Sequence, residues 1–192
     1  MKEKLKNKLY ESVKLLQNLD DDFSNSIEKA LSLLNKSMRE NKILVYGNGG
    51  SATQSSHFVA ELVNRFYKNR PPINAIALTT DIANLTSIAN DFNYEFVFSR
   101  QVEAIGTKND VSIGITTSGT SKNVLTALRT SKNKGLGTIA LCGNNIEVLK
   151  EIGVDVIISI NTQDTPLIQE THLFVLHFIA EQLENTLTAP EG

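Results

Sequence analysis

The sequence predicts an α/β fold, a three-layer sandwich built on a five-stranded parallel sheet and preceded by two helices. Five short apolar runs rich in β-branched residues recur between Lys42 and Ile160; they lack the polar alternation of half-exposed strands, as expected of strands covered on both faces. Helical segments separate the runs, which points to right-handed crossovers and parallel pairing. From Met1 to Asn41 the apolar residues keep helical spacing instead.

In chain order, Leu5, Leu9, Val13 and Leu16 form one apolar stripe. After the acidic run Asp20 to Asp22, a second stripe comprises Phe23, Ile27, Leu31, Leu34 and Met38. Two amphipathic helices of this kind need cover, from the following domain or from another copy of the chain. The expected strands are Ile43 to Tyr46, Ile73 to Leu78, Val111 to Ile115, Thr138 to Leu141 and Val154 to Ile160. A helix is expected from about Lys122 to Lys132. The last segment, Pro166 to Leu187, reads as a helix with Thr165 as N-cap and Pro166 at its first position. Its apolar residues, from Leu167 to Leu183, occupy most of the circumference, which predicts burial under the sheet or in a subunit interface. With no repeat and no domain-scale linker, residues 1–192 form one domain, with 1–41 as a helical extension.

Composition narrows the class of function. The 192 residues, 41% hydrophobic and 21% charged, suit one globular domain with a substantial core. Nineteen basic residues against 21 acidic ones leave a net charge of −2, which argues against a nucleic-acid partner. The single cysteine, Cys142, cannot form an internal disulfide and suits a reducing cytoplasm. Apolar stretches such as Leu173 to Ala180 fall short of the roughly 20 residues that span a bilayer. No apolar signal core follows the lysine-rich start. A soluble cytoplasmic protein with no membrane partner is expected.

Two loops at the carboxyl ends of strands carry the chemical signal, because ligands of open parallel sheets bind there. Gly47-Asn48-Gly49-Gly50-Ser51 leads from the first strand into a helix. It reads either as a cradle for an anion, with free N–H groups at the helix start, or as a tight turn with Ser51 and Gln54 in a capping box. No lysine follows as a P-loop requires, and the next strand ends about thirty residues on rather than the roughly twenty of a dinucleotide fold. After the third strand, Thr116, Thr117, Ser118, Thr120 and Ser121 surround Gly119 at another helix start. Hydroxyls beside free N–H groups suit a monophosphate; a serine-rich turn with ordinary capping is the plainer reading.

His57 and Glu61, four apart, share one helix face, an arrangement fit for acid–base chemistry, for metal ligation, or for an ordinary surface contact. On the last helix Gln169 and His177 stand about 80° apart around the axis, whereas His172 is about 140° from His177. A histidine in an apolar run, as His177 is, is expected to be buried, where its pKa is tuned. Arg65, Lys68 and Arg70 are read as a solvated basic turn or as a phosphate clamp.

Taken together, G-N-G-G-S at Gly47 to Ser51, H-F-V-A-E-L at His57 to Leu62, A-I-A-L-T-T-D at Ala75 to Asp81, A-N-D-F at Ala89 to Phe92, F-S-R-Q-V-E-A at Phe98 to Ala104, T-S-G-T-S at Thr117 to Ser121 and I-Q-E-T-H at Ile168 to His172 resemble the phosphoheptose isomerase branch of the sugar isomerase (SIS) domain family. The resemblance implies a flavodoxin-like SIS fold. It also implies conversion of sedoheptulose 7-phosphate to D-glycero-D-manno-heptose 7-phosphate through an enediol, for bacterial surface heptose. Glu61 would be the base and His177 the acid and proton shuttle. His57, Glu61, Gln169 and His177 would hold one zinc ion per subunit, in a site assembled between neighbouring subunits of a homotetramer. Thr116, Thr117, Ser118, Thr120 and Ser121 would hold the phosphate. Asn48, Gly49, Gly50, Ser51, Arg65, Asn90, Asp91 and Gln169 would line the sugar.

Two departures stand out. Leu167 replaces the arginine usual before I-Q-E, and Thr116 replaces a commoner serine while keeping the hydroxyl. A non-catalytic SIS protein that binds the DNA-replication initiator is the alternative within the family, but it lacks the counterparts of Glu61 and His177. A nicotinamide-dependent oxidoreductase would leave the hydroxyl loop, Gln169 and His177 unexplained.

Overall fold

The computed structural model describes residues 1–189, so the last three positions of the expected 1–192 domain lie outside the described residues. The N-terminal stripes form α1 (Lys2–Gln17) and α2 (Asp21–Ser37). The acidic run between them ends one helix and starts the next: the Asp20 carboxylate accepts the Phe23 N–H at 2.9 Å, and Asp21 and Asp22 sit in the first turn, where negative charge is favoured.

The sheet comprises β1 (Ile43–Gly47), β2 (Ala75–Ala77), β3 (Val111–Thr116), β4 (Gly137–Cys142) and β5 (Val156–Ser159), all parallel, in the order β2-β1-β3-β4-β5. The second strand is shorter than its apolar run. Ile73 follows two prolines and gives its N–H to the Leu62 carbonyl instead of the ladder. The connecting helices are α3 (Gly50–Val63), α4 (Ile82–Asp91), α5 (Ser99–Ile105), α6 (Lys122–Asn133) and α7 (Glu147–Ile152), with a single 3-10 turn at Tyr94–Phe96. The chain closes with α8 (Thr165–Thr188).

Alternate strand residues face opposite layers. Ile43, Val45, Ile113, Ile115, Ile139 and Leu141 pack with α2, α3 and α8. Leu44, Tyr46, Ala140 and Cys142 pack with the layer of α4 to α7. Both layers close over the sheet, as expected of continuous apolar strands.

The two N-terminal stripes meet different fates. On α2, Phe23, Ile27, Ala30 and Leu34 are buried against β5 and α8. On α1 no residue is buried, and Leu5 is 62% and Leu9 58% exposed.

The last helix corrects the sequence reading at its start. Its N-cap is Asp164, which places Thr165 at the first helical position and Pro166 within the first turn. Within one chain it is not covered all round, and the residues left exposed are those a subunit interface would have to bury. Ile168, His172, Val175, Ile179 and Leu183 face the core, while Phe174 and Phe178 are exposed one turn apart.

Strand order reverses between β1 and β3, so the crevice that this topology opens lies beyond Gly47 and Thr116. Among the described residues no helix is long and apolar enough to cross a membrane.

Candidate functional site

Both loops lie at this switch point, and amides join them. The Asn48 side chain donates to Asn123 Oδ1 at 2.9 Å, and Asn123 Nδ2 returns a bond to Asn48 Oδ1 at 2.8 Å. The Tyr94 hydroxyl adds a third bond to Asn48 at 3.2 Å. Asn48, Asn93, Tyr94, Glu95, Ser121, Lys122 and Asn123 line an open depression of about 280 Å³. Asn123 and Tyr94 escaped the sequence reading. A clue to Asn123 was available, since it falls in the first turn of the helix after the hydroxyl loop; nothing local marks Tyr94.

In the hydroxyl loop, Thr116 Oγ1 lies 3.0 Å from Ser121 Oγ and 3.4 Å from Ser118 Oγ, while the Thr120 hydroxyl donates to Ser118 at 3.1 Å. Gly119 takes a left-handed φ of 69°, and a Cβ there would run into the Asn145 carbonyl oxygen. Thr116 is buried, whereas Ser118 and Thr120 face solvent. Ser121 is the N-cap of α6 but its side chain caps none of the N–H groups, and of the first three only that of Val124 is taken by a side chain, Asn123 Oδ1 at 3.0 Å. A helix start in this state offers donors to an anion.

The glycine loop also lacks a side-chain cap, because Gly49 is the N-cap of α3. The capping-box alternative is therefore overturned. Ser51 lies inside the helix, 3% exposed, and Gln54 donates to the Gln169 carbonyl at 2.7 Å. Gly50 is needed for close approach: a Cβ there would collide with the Gln169 side-chain amide, which closes over the start of α3.

Two turns along α3, His57 and Glu61 face α8. His57 Nε2 lies 2.8 Å from His177 Nε2 and 3.6 Å from Glu61 Oε1. The two imidazoles meet edge to face at 5.1 Å between ring centres, and the Phe66 ring packs 5.7 Å from His177. These three groups converge within one chain and need no neighbouring subunit to meet. The His57 side chain is 45% exposed and that of Glu61 23%, so solvent and substrate can reach them. His177 is only partly buried, against expectation. The buried histidine is His172, fully enclosed, with Nε2 donating to the Cys142 carbonyl at 3.3 Å. Burial lowers its pKa to about 4, so it is neutral at physiological pH. The two stand five positions apart, and the helical turn between them sends one into the core and the other toward α3.

Other expected residues bond to local neighbours. Arg65 is exposed and donates to Asn69 at 3.0 Å. Asn90 and Asp91, at the end of α4, bond to each other at 2.8 Å. The basic turn is not solvated throughout, and Arg70 is not available to a phosphate: its side chain is fully buried, giving Nη1 to the Leu62 carbonyl and Nη2 to that of Glu61, both at 2.7 Å. Leu167 lines a small crevice with Leu15, Leu16 and Phe174, so it faces α1 and not the loops.

Residues 9–143 match the SIS domain family. The chain is 42% identical to a phosphoheptose isomerase of Thermodesulfovibrio yellowstonii, over 97% of this chain and 93% of that protein. The chain belongs to the phosphoheptose isomerase family of SIS domains. In structure it resembles the phosphoheptose isomerase GmhA of Neisseria gonorrhoeae, with a TM-score of 0.89 at 32% identity over 96% of this chain and 98% of that one. A phosphoheptose isomerase of Francisella tularensis gives 0.82 at 29% identity, over 96% and 99%.

Among the described residues of this SIS domain no three His, Cys, Asp or Glu side chains form a ready metal cage. The donor types nevertheless fit zinc, which takes imidazole nitrogen and carboxylate oxygen. Two nitrogens bound tetrahedrally at about 2.0–2.1 Å stand about 3.4 Å apart. The His57–His177 pair, at 2.8 Å, needs only a small opening of the two rings to reach that spacing.

Proposed function

We propose that this SIS domain isomerises sedoheptulose 7-phosphate to D-glycero-D-manno-heptose 7-phosphate. The observation that carries the proposal is the meeting of Glu61, His57 and His177 on facing helices, in a chain whose switch-point crevice has five hydroxyls and two helix starts with no bond from the N-cap side chain. Both groups that a non-catalytic relative would lack, Glu61 and His177, are present.

In this reading Glu61 removes a proton from C1 of the ketose while His177 gives a proton to the oxygen on C2, forming the enediol. His177 then takes the proton of the C1 hydroxyl as Glu61 returns one to C2, leaving an aldehyde at C1 and an alcohol at C2. No atom is gained or lost. One base that reaches both carbons and an acid that reaches their oxygens are what proton transfer between adjacent carbons requires. Ser118, Ser121 and the threonines beside them, with the first N–H groups of α6, hold the phosphate; its binding energy positions the reacting end. Asn48, Gly49, Gly50 and Ser51 form the floor beneath the sugar, and Gln169 closes over it.

His57, His177 and Glu61, with Gln169 as a fourth ligand, would hold zinc. A zinc ion bound there would supply Lewis-acid polarisation of the sugar oxygens. The uncovered α1 stripe and the exposed Phe174 and Phe178 support assembly, and a homotetramer is the form we propose. The buried, unpaired Cys142 thiol supports a cytoplasmic setting.

The test is an isomerase assay over a panel of ketose phosphates, with added zinc and after chelation. Turnover is expected to be greatest with sedoheptulose 7-phosphate and to fall on chelation. Absence of isomerisation across the panel overturns the assignment.

A further inference from the structure

The segment between α3 and β2 is held by a carboxylate that no step above uses. Glu184, on α8, is 1% exposed. Its Oε2 accepts the Phe66 N–H at 2.8 Å, and its Oε1 accepts those of Tyr67 and Lys68, each at 2.7 Å. The Arg70 guanidinium lies 3.5 Å away and spends its terminal nitrogens on the carbonyls of Glu61, Leu62 and Pro71. Burial pushes the Glu184 carboxyl up, but the three backbone donors and the Arg70 charge outweigh it and hold the group below its ordinary value.

Two links run from this anchor to the reacting groups. Phe66, whose N–H is fixed by Glu184, lays its ring against His177. Arg70, paired with Glu184, braces the last carbonyls of α3, including the carbonyl of Glu61 itself. Glu184 also stands seven residues, two helical turns, after His177, and so lies on the same face of α8. One buried carboxylate thus ties the helix carrying the acid to the helix end carrying the base.

We propose that Glu184 is a positioning residue for the isomerisation, acting on His177 through Phe66 and on Glu61 through Arg70. The assignment rests on the reading of Glu61 and His177 as base and acid. A buried anion with three N–H donors sets loop position more narrowly than apolar packing would, because each donor left unpaired carries the full cost of desolvation.

Glu184→Gln separates positioning from folding. The amide oxygen can keep Tyr67 and Lys68, whereas the amide nitrogen then confronts the Phe66 N–H and the Arg70 guanidinium. We expect kcat to fall between about tenfold and a hundredfold with KM within about threefold, and the His177 ring resonances to move in the NMR spectrum. Phe66→Leu, which leaves the anchor intact, should reproduce the kcat loss and the resonance shift. The control is Asp110→Asn, which weakens a comparable buried carboxylate cluster at the opposite end of the sheet; it should leave kcat within about twofold and His177 unmoved. Wild-type kcat and unmoved His177 resonances in both Glu184→Gln and Phe66→Leu overturn the proposal. If Glu184→Gln does not fold, Phe66→Leu and Arg70→Lys decide by the same two readouts. A wild-type protein without isomerase activity removes the functional reading alone, since the His177 resonances still report whether Glu184 positions the ring.

Discussion

At the amino-terminal rim of the sheet, Asp110 receives the Lys42 ammonium at 2.7 Å and the N–H groups of Lys42 and Thr107 at 3.0 and 2.7 Å. Nearby Asp155 takes the Lys132 ammonium at 2.6 Å and the Thr138 N–H and hydroxyl, both at 2.8 Å. For both carboxyls burial pushes the pKa up, and the donors of Lys42 and Thr107, or of Lys132 and Thr138, overcome it and hold each below its ordinary value. At the carboxyl-terminal rim the polar groups bond mostly to one another, hydroxyl to hydroxyl across Thr116 to Ser121 and amide to amide across Asn48 and Asn123, and further along α3 and α8 imidazole meets imidazole across His57 and His177. Charge at one rim is spent on holding strand starts together, while the other keeps donors and acceptors that a ligand can recruit. Glu184 is the exception, an anchor of the amino-rim kind placed beside the reacting groups.

The sharpest way to break this contrast is Glu61→Gln, which should cut kcat by about a thousandfold, as loss of a general base does, while phosphosugar binding and the melting temperature stay close to wild type. Substantial turnover in that variant would place the base elsewhere. His177→Ala should lower kcat by about a hundredfold and alter binding less; an unchanged rate removes it from the mechanism. Ser121→Ala should raise KM by about tenfold, the worth of one hydrogen bond to a charged oxygen, with kcat little altered. At the other rim Asp110→Asn should leave the rate alone but cost about 1–3 kcal/mol of stability, read from urea unfolding.

Acidification sharpens the same comparison. Asp110 and Asp155 have folded pKa values below their ordinary ones, so their stabilisation is present at neutral pH and is lost as pH falls through the carboxylate range. His172 acts earlier: its folded pKa is depressed from 6.5 to about 4, so the unfolded chain takes up its proton first and stability declines across that interval. A urea midpoint unchanged between pH 7 and pH 4 contradicts the His172 assignment, and one that stays unchanged as pH falls further, through and below the carboxylate range, contradicts that of Asp110 and Asp155.

Much of the fold was legible because its signals are local. Apolar runs of β-branched residues marked all five strands, and helical spacing marked both N-terminal helices. Where boundaries moved, a specific backbone bond was responsible: Ile73 left its strand to satisfy Leu62, and the Asp164 carbonyl accepts the Ile168 N–H at 3.0 Å, which starts the helix one residue early. In the site, His57 with Glu61 and the five hydroxyls could be read from spacing. Glu184, Phe66 and Tyr94 could not, because each gains its role only from a partner distant in sequence.

The sequence by itself determined the α/β class, the two loops at the carboxyl rim, the shared face of His57 and Glu61, and the opposed faces of His172 and His177. All of these follow from backbone periodicity, which fixes where side chains point along one element. Only the tertiary structure decided that His177, not His172, meets His57 across 120 residues of chain, that Asn48 pairs with Asn123, and that α2 is covered while α1 is not. Such pairings depend on the angle and register at which α3 and α8 pack over the sheet, and packing of that kind is set by the shapes of the whole core rather than by any one stretch of residues.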